Sequence, residues 1–426
     1  MRIVTLLILA FLLNAVQAQE RNLDFYFDKA KVFSPLINQA QNANKIVGLD
    51  MEQIKSILSK PEINVDASVL FAPIISHDNN SNRLELVSNG ANSYTGYDMA
   101  VTDGGQYQSM VSLRQPLFTG SSFRAYSGKT DILRQVNENR ISLTSHELQQ
   151  IISHQYLLCI RAKRTAETNR QLLAELSGQV KLMQKLVENA IYKQSDLMQL
   201  KIEYDNFKLN DERARSDFRS NLYDLNLLCG IKDTSTVDLR EIDPQIKIKP
   251  AYTSGFLNSY RLDSLNISAE QNISGLKYKP QINFFANAGM NAVYLPTLNR
   301  LGLSAGLTLK WNIFDGQQRK LSRQKTAINL QTLNFEKQHF ITQQEINKNA
   351  LLNQIASLDK RKTMANSQLE QYEQLLKVYR AQLAQGEISV IDFKTMLRDL
   401  AYKRQECALL DLEKQALIIS YNYWNY

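Results

Sequence analysis

Two distant parts of this chain carry the same succession of residue types at a constant separation. VSLRQPLFTG at 111–120 aligns with LTLKWNIFDG at 307–316, and AIYKQSD at 190–196 aligns with GEISVID at 386–392. Both matches have an offset of 196 residues, and no gap is needed between them. Because chance seldom produces two separate matches at one offset, the sequence predicts an internally duplicated fold.

The two halves differ in length at one place. PEINV at 61–65 aligns with PQINF at 280–284 at an offset of 219, so the first half carries 23 additional residues between its two strand-like segments. The additional residues fall in the polar stretch His77–Gln106, which is rich in glycine, asparagine and serine. We predict a loop there.

Apolar and polar residues alternate with period two at 111–114 and 307–311, which predicts β-strands. One face, which we predict to meet lipid, carries Val111, Leu113, Leu307, Leu309 and Trp311. The opposite face, which we predict to line a lumen, carries Ser112, Arg114, Thr308 and Lys310. A strand of a soluble β-sandwich shows the same alternation, so the pattern alone leaves both environments open.

Each strand pair is followed by a helical segment of unusual length. Residues 121–188 and 317–384 contain no proline, and each stretch would span about 100 Å as a helix. Apolar residues recur there in steps of three and four, as in Leu172, Leu176, Val180 and Met183. Since helices this long exceed the usual globular range, we predict that they pack against one another as a coiled-coil-like assembly.

The N-terminal residues have the pattern of an export signal. Arg2 precedes the apolar run Ile3–Leu13 and the small-residue site Val16–Ala18, so we predict cleavage before Gln19. An uncleaved signal anchor is the alternative, but a spanning helix needs about 20 apolar residues. Because Gln19 is not cysteine, the signal predicts an N-terminus without lipid.

Composition argues against several function classes. The net charge is +8, and the basic residues are interleaved with acidic ones, so we expect no nucleic-acid partner. The four histidines form no HExxH motif, and we predict no metal site, no cofactor and no catalytic residues. Cys159, Cys229 and Cys407 are far apart, and we predict that they are buried small apolar residues.

Four strands are too few to close a transmembrane barrel, since closed outer-membrane barrels begin at about eight strands. The subunit must therefore associate with others, as a dimer, a trimer or a tetramer. Phe118, Trp311 and Phe314 fall at the ends of the returning strands, where interfacial aromatic residues belong; the alternative is a role in a buried core. Gly120 and Asp315–Gly316 follow them as turn-forming residues.

With these features, the chain resembles the TolC family of outer-membrane efflux proteins. The resemblance covers nearly the whole mature chain and is clearest in four segments. These are VSLRQPLFTGSSFRAYSGK (111–129), LTLKWNIFDGQQRKLSRQK (307–325), VENAIYKQSDLMQLKIEYD (187–205) and LAQGEISVIDFKTMLRDLA (383–401). The family resemblance implies a mixed α+β, mainly α fold. It also implies a homotrimer with a 12-stranded transmembrane β-barrel, four strands per chain, and a long periplasmic α-helical tunnel.

The same resemblance implies function, partners and location. Family members are not enzymes but passive conduits in the outer membrane of Gram-negative bacteria, with the helical part in the periplasm. A periplasmic adaptor and an inner-membrane transporter complete the pump, and outer-membrane lipid surrounds the barrel. The chain is accordingly predicted to provide the exit duct of a tripartite efflux or type I secretion system.

The resemblance and the duplication together predict the domain boundaries. Residues 1–18 are the signal peptide, and 19–60 form an N-terminal periplasmic helical segment. Residues 61–230 form the first repeat, with a strand, a loop, a strand, a long helix and a shorter helix. A linker and an equatorial helical segment occupy 231–279, and the second repeat follows at 280–426.

The helical tips are the segments that resemblance marks as functional. They are predicted to contact the adaptor through Gly386, Glu387, Ile388, Ser389, Ala190, Ile191, Tyr192 and Lys193. Gly386 provides the backbone freedom of a tight turn, whereas Ala190 at the equivalent position is a departure. The alternative is that these residues only turn the chain.

Two carboxylates near the tips match gate positions of the family. Asp392 corresponds to a ring of carboxylates at the tunnel entrance, which would favour cations, and Asp196 corresponds to part of a salt-bridge latch. The alternative for Asp392 is a helix N-terminal charge favoured by the macrodipole. Two positions depart from the family pattern: Thr395 stands where a second ring carboxylate is expected, and Ile388 stands where the basic partner of the latch is expected, so any latch here must use other residues.

Two other classes of exported protein fit the sequence less well. A periplasmic adaptor also has an export signal, but it carries one helical hairpin between β-rich halves, whereas this chain predicts two hairpins in tandem. A secreted enzyme with a helical stalk would need a catalytic arrangement, and the sequence contains no such signature.

Overall fold

The computed structural model describes residues 21–71, 73–78, 81–85, 93–96, 105–248, 254–292 and 301–426. The predicted signal peptide therefore lies outside the described residues. The chain divides into two compact units. The helical unit comprises the described residues of 1–42, 138–260 and 335–426, and the sheet unit comprises those of 43–137 and 261–334.

Seven α-helices account for most of the described residues. They are α1 (Leu23–Phe33), α2 (Pro35–Ser59), α3 (Gly120–Glu188), α4 (Gln194–Leu228), α5 (Gly255–Gly275), α6 (Gln318–Gln385) and α7 (Val390–Trp424). The two longest, α3 and α6, contain 69 and 68 residues, and each is followed by a helix of 35 residues. Among the described helices, none has an apolar stretch long enough to cross a membrane.

The main sheet has four antiparallel strands. These are β1 (Glu62–Phe71), β5 (Gly105–Leu117), β6 (Gln281–Ala292) and β7 (Gly302–Lys310), in the order β1-β5-β6-β7. Strands from both halves of the chain therefore share one sheet, and β5 pairs with β6. The strands β1 and β6 begin directly after Pro61 and Pro280, in accordance with proline's lack of a backbone N–H group for a ladder.

Two short strands within the stretch predicted as a loop pair with a third strand that directly precedes it, and the three form a second, small sheet. It consists of β2 (Ile74–Ser76), β3 (Arg83–Glu85) and β4 (Tyr94–Gly96), in the order β3-β2-β4. The ring of His77 connects two parts of this stretch, with Nδ1 2.7 Å from Asn82 Oδ1 and Nε2 2.7 Å from Thr95 Oγ1. The glycine-rich and asparagine-rich composition concealed these short strands, which depend on pairing between distant residues.

One hydrophobic core of the helical unit contains residues of α1, α3, α4 and α7 and of the segment that follows α4. Tyr156 of α3 is fully buried, and its hydroxyl donates to the backbone carbonyl of Arg240 at 2.5 Å. Arg164 contributes a bidentate ion pair with Glu241 at 2.8 and 2.6 Å, which lowers the pKa of the Glu241 carboxyl. These contacts fix the segment after α4 against α3, so the predicted linker is held along its first part.

Two of the three cysteines lie in this same core. Cys159 and Cys229 are buried, and burial raises the pKa of each thiol to about 12. Cys407 is half-buried, in contrast to the prediction that all three are buried. A thiolate is the reactive form of cysteine, so burial makes Cys159 and Cys229 unreactive.

Candidate functional site: a one-sided apolar sheet and two helical tips

The register of the main sheet places one set of side chains on a common face. Val111 is paired with Val65 and Ala288, and Leu113 is paired with Ile63 and Ala286. On the neighbouring pair of strands, Leu307 is opposite Phe284 and Leu309 is opposite Ile282. Since directly paired residues share a face of a sheet, the residues of these strands that were predicted to face lipid lie together on one mainly apolar face.

The opposite face carries the polar residues. Ser112 is paired with Asn64 and Asn287, and its hydroxyl donates to Asp66 Oδ2 at 3.0 Å. The other predicted lumen residues, Arg114, Thr308 and Lys310, have the same parity and are paired with Phe285, Asn283 and Gln281. Within the strands, the two predicted sets are therefore separated between the two faces, and apolar residues such as Met110 and Phe285 also lie on the polar side.

The apolar face is exposed in the single chain. Val65 is 74% exposed, Leu303 is 88% exposed and Leu307 is 66% exposed. Soluble monomers seldom leave large apolar side chains side by side in water, and a contiguous patch of this kind marks a contact surface. The face thus requires another apolar phase or another molecule to cover it.

Both edges of this sheet are also open. The strands β1 and β7 occupy the two borders, and neither has a second partner strand among the described residues. They contain 10 and 9 residues, so each border presents a long row of backbone donors and acceptors. Open edges of this length require pairing with another strand, particularly in an apolar environment.

The prediction that Trp311 lies in a lipid-facing strand differs from the structure. The strand β7 ends at Lys310, so Trp311 follows the strand instead of lying in it. The position opposite Trp311 would be Pro280, which has no N–H group and cannot continue the ladder. Trp311, Ile313 and Phe314 nevertheless remain exposed in the segment that connects β7 to α6.

The two helical tips, at 186–193 and 382–389, end their long helices in the same way. Ile191 N–H donates to Leu186 at 2.9 Å and Ala190 N–H to Val187 at 3.0 Å. At the second tip, Glu387 N–H donates to Gln382 at 2.9 Å and Gly386 N–H to Leu383 at 3.2 Å. This pair of bonds is the Schellman arrangement, which uses a residue with positive φ as its pivot.

Those pivots are Ala190 and Gly386, with φ angles of 58° and 78°. The alanine therefore adopts the left-handed conformation that glycine adopts at the second tip. Its Cβ makes this conformation less favourable, by about 1 kcal/mol. The departure seen in the sequence is a strained turn of the same geometry, not a different turn.

The carboxylates predicted for the gate are both in the first turns of the shorter helices. Asp196 Oδ2 accepts a hydrogen bond from the backbone N–H of Lys193 at 3.0 Å. Asp392 is exposed, and it is Ser389 that caps its helix, by accepting from Ile391 N–H at 3.2 Å. Asp196 thus completes a helix cap, whereas the Asp392 carboxylate has no hydrogen-bond partner within the part of the chain that the structure describes.

The tips of the two hairpins contact each other. The hydroxyl of Tyr192 donates to the carbonyl of Ile388 at 2.8 Å, and burial raises the pKa of this hydroxyl, which therefore stays protonated. A Cβ atom added at Gly386 would lie 2.9 Å from Cγ2 of Ile191. The second tip is therefore packed closely against the first. Leu383, Val390 and Phe393 are buried in the apolar cluster behind it.

A charged network that sequence reasoning missed joins the same hairpins. Glu175 of α3 accepts from Arg380 of α6 at 3.4 Å and from Arg404 of α7 at 3.1 Å. Arg404 also reaches Glu373 of α6 at 3.2 Å. No local pattern reveals such a network, because its members are separated by up to 229 residues. A network of three or more charges is worth more than an isolated surface pair.

In the described part of the chain, no group of three or more histidine, cysteine, aspartate or glutamate side chains is placed to hold a metal ion. What the described residues do offer is a one-sided apolar sheet with open borders and a pair of long hairpins with joined tips. The apolar face and the open borders are surfaces that an apolar phase or another molecule must cover.

The fold matches solved outer-membrane channels. The CmeC outer-membrane channel of Campylobacter jejuni aligns with a TM-score of 0.69 at 12% identity, over 95% of this chain and 85% of CmeC. The outer-membrane protein VceC from Vibrio cholerae aligns with a TM-score of 0.67 at 16% identity, over 95% of this chain and 96% of VceC. The MtrE outer-membrane channel of Neisseria gonorrhoeae aligns with a TM-score of 0.66 at 12% identity, over 95% and 88%. No protein-family model and no curated protein matches the sequence.

These matches define the class of fold. The chain is a mainly helical protein with a small sheet, folded as the outer-membrane channels are. The TolC-type fold that the sequence resemblance predicted is therefore confirmed.

Proposed function

We propose that this protein is one subunit of an outer-membrane channel that provides the exit duct of a tripartite efflux or type I secretion system. The observation that carries the proposal is the exposed apolar face of the main sheet, bordered by two open edge strands. Lipid covers the apolar side chains of this face, and strands of sister subunits form hydrogen bonds with the backbone groups of the two edge strands.

Three subunits would supply 12 strands to a closed barrel. Eight strands leave a lumen filled by side chains, so a larger number is needed for an aqueous channel. In this arrangement Val111, Leu113, Leu307 and Leu309 face lipid, while Ser112, Arg114, Thr308 and Lys310 face the lumen. The repeated order of strand pair, long helix and 35-residue helix supports an internal duplication that gives each subunit two equivalent wall segments.

The long hairpins would continue the duct through the periplasm to the joined tips. We infer that the tips, from Ala190 to Lys193 and from Gly386 to Ser389, meet a periplasmic adaptor, which bridges to an inner-membrane transporter. An adaptor role for this chain itself is less consistent with the fold, since two hairpins, 120–228 and 318–424, follow one another in tandem. No catalytic role is proposed, because the neighbours in fold are channels.

The exposed carboxylate of Asp392 is the residue that we propose for the entrance ring. One free carboxylate from each subunit at a constriction would concentrate cations there. Asp196 is less suited to a latch, because its carboxylate is already used in a helix cap. The Glu175 network offers charged groups between the hairpins that could serve instead.

Membrane fractionation followed by single-channel recording tests the proposal. The mature protein should be recovered with the outer membrane of a Gram-negative host and migrate in gels as an oligomer that heat dissociates. Reconstituted into a planar bilayer, it should conduct ions. A stable monomer that remains in water without detergent would contradict the proposal.

A further inference from the structure

The beginning of α6 is an exception to the interleaving of basic and acidic residues, because positive charge is concentrated there. Arg319, Lys320, Arg323 and Lys325 fall within its first eight residues, and no acidic residue occurs between Gly316 and Phe335. All four basic side chains are exposed. Helices generally disfavour cations in the first turn, because the macrodipole is positive at that end. The macrodipole therefore does not stabilise the charges of Arg319 and Lys320 in this first turn.

The basic side chains also lack anionic partners within the described residues. The carboxylate of Asp315, four residues before Arg319 in the sequence, accepts from the Tyr278 hydroxyl and from the backbone N–H of Arg319, the latter at 3.0 Å. The Arg319 guanidinium lies 5.1 Å from the centroid of the Tyr278 ring. The described residues place no ion pair on Lys320, Arg323 or Lys325, so their charge is available to an external anion.

Exposed apolar residues lie beside these cations. Ile313 is 82% exposed and Phe314 is 85% exposed. They line an open groove of about 530 Å³ together with Arg319, Lys320 and Arg323. We call these five residues the junction patch. It follows β7 directly in the sequence, so it continues the apolar surface of the sheet into a surface that is apolar and cationic together.

The equivalent segment of the first repeat does not share this character. At the offset of 196 residues, Arg319 corresponds to Phe123 and Arg323 to Ser127, and only Arg124 and Lys129 are basic. Lys129 is already paired with Glu270 at 3.1 Å. The cationic groove is thus a property of the second junction and not of strand-to-helix junctions in this chain generally.

We propose that the junction patch binds the phosphate headgroup of an anionic phospholipid in the periplasmic leaflet of the outer membrane. This inference rests on the proposed function, which places the end of β7 at the membrane surface. Arg319, Lys320 and Arg323 contact the phosphate oxygens, and Ile313 and Phe314 contact the start of the acyl chains. A zwitterionic headgroup also has a phosphate, but its own ammonium group offsets that charge, so it should bind these cations more weakly.

Fluorescence quenching of Trp311 by brominated lipids tests the inference. The chain has two tryptophans, and Trp424→Phe leaves Trp311 as the only one. A phenylalanine at 424 keeps the ring contact with Phe340 and the backbone carbonyl that Gln344 binds. The full-length mature oligomer of this variant is reconstituted in phosphatidylcholine bilayers that contain either brominated phosphatidylglycerol or brominated phosphatidylcholine.

Brominated phosphatidylglycerol should quench Trp311 at a roughly fivefold lower mole fraction than brominated phosphatidylcholine, or lower still. Combining Arg319→Gln, Lys320→Gln and Arg323→Gln should remove that preference and leave quenching by phosphatidylcholine intact. Arg124→Gln, at the position equivalent to Lys320, should change nothing. The unaltered patch should also lose its preference in 1 M salt, where the Debye length is about 3 Å.

The contrary outcomes separate the inference from the proposed function. Equal quenching by both lipids would overturn the headgroup contact while leaving the channel in its membrane. An inserted oligomer without any quenching would show that a neighbouring subunit covers the patch, which also overturns it. Failure of the unaltered protein to insert into the bilayer would contradict both the headgroup inference and the proposed function. If the triple variant does not assemble, Arg323→Gln alone should reduce the preference.

Discussion

The side-chain hydroxyl of Tyr192 donates a 2.8 Å hydrogen bond to the backbone carbonyl of Ile388, and the two residues occupy equivalent places in the two helical tips. The bond is unsymmetrical, because only the first tip provides a tyrosine. The bond links the two tips, so its loss at Tyr192 should reduce the local stability of both.

Tyr192→Phe removes this bond and keeps the ring. A neutral hydrogen bond contributes about 1 kcal/mol, so amide hydrogen exchange at 186–193 and 382–389 should become roughly fivefold faster. Tyr402→Phe is the control, since Tyr402 is 65% exposed. Unchanged exchange in Tyr192→Phe would show that the bond does not hold the tips together.

Opposite exchanges at the two pivots should have opposite effects. Ala190→Gly relieves a positive φ and should stabilise the first tip by up to about 1 kcal/mol. Gly386→Ala should destabilise the second tip by more than about 1 kcal/mol. The positive φ is unfavourable for alanine, and the new Cβ also approaches Ile191. The midpoint of thermal unfolding measures both. A loss of stability in Ala190→Gly would contradict the strain that we assign to that turn.

The carboxylates of Asp392 and Asp196 should affect different properties, ion selectivity in the first case and stability in the second. Asp392→Ala should weaken the cation preference of single channels with little change in stability. Asp196→Ala removes a helix cap and should cost about 1 kcal/mol of stability. Reversal potentials in a salt gradient and thermal unfolding distinguish these effects. Unchanged selectivity in Asp392→Ala would exclude the entrance ring.

Charge should be tolerated on only one face of β7. Leu307→Arg should impair assembly by about 2–4 kcal/mol if the apolar face meets lipid. Thr308→Arg, on the adjacent residue and the opposite face, should assemble normally. The yield of heat-modifiable oligomer in the outer-membrane fraction compares the two variants. Equal tolerance would mean that the face of Leu307 is covered by protein.

Acidification should weaken the helical unit through His154. Burial lowers the pKa of this imidazole, whose Nε2 lies 3.2 Å from Ser420 Oγ. Its neutral form is favoured on folding, so the contribution is present above the unfolded value of 6.5 and is lost as the pH falls through the lower folded value. His154→Gln should therefore reduce the fall in melting temperature between pH 7.5 and 5.5. His339→Gln, at an exposed position, should leave that fall unchanged.

The features that sequence predicted well are those with a local or periodic signature. The long helices lie within one or two residues of the proline-free stretches, and the alternation at 111–114 and 307–310 follows the observed faces. The offset of 196 residues also pairs Ala190 with Gly386 and Lys193 with Ser389, which occupy matching turn and cap positions.

Contacts between residues far apart in sequence were not predictable in this way. The Glu175 network and the Tyr192 hydrogen bond depend on how two hairpins pack, which no single segment encodes. The small sheet around Ile74 was missed because strands of three residues give no periodic signal. The alternation of apolar and polar residues continues to Trp311 and so predicts that it belongs to the strand. The ladder nevertheless ends one residue earlier, because Pro280 cannot donate a hydrogen bond to it.

The two borders of the main sheet are different from each other, and this has a consequence for how copies come together. If all copies keep their helices on one side of the membrane and their apolar face outward, as the proposed function requires, one copy can extend the ladder of the next only by joining unlike borders, because joining like borders would turn one copy over. Such head-to-tail contacts cannot produce a self-complementary pair, and they end only when a ring returns to its first member. Incomplete rings would keep two adhesive ends, so maturation in the cell should proceed as an all-or-none closure that leaves few stable intermediates.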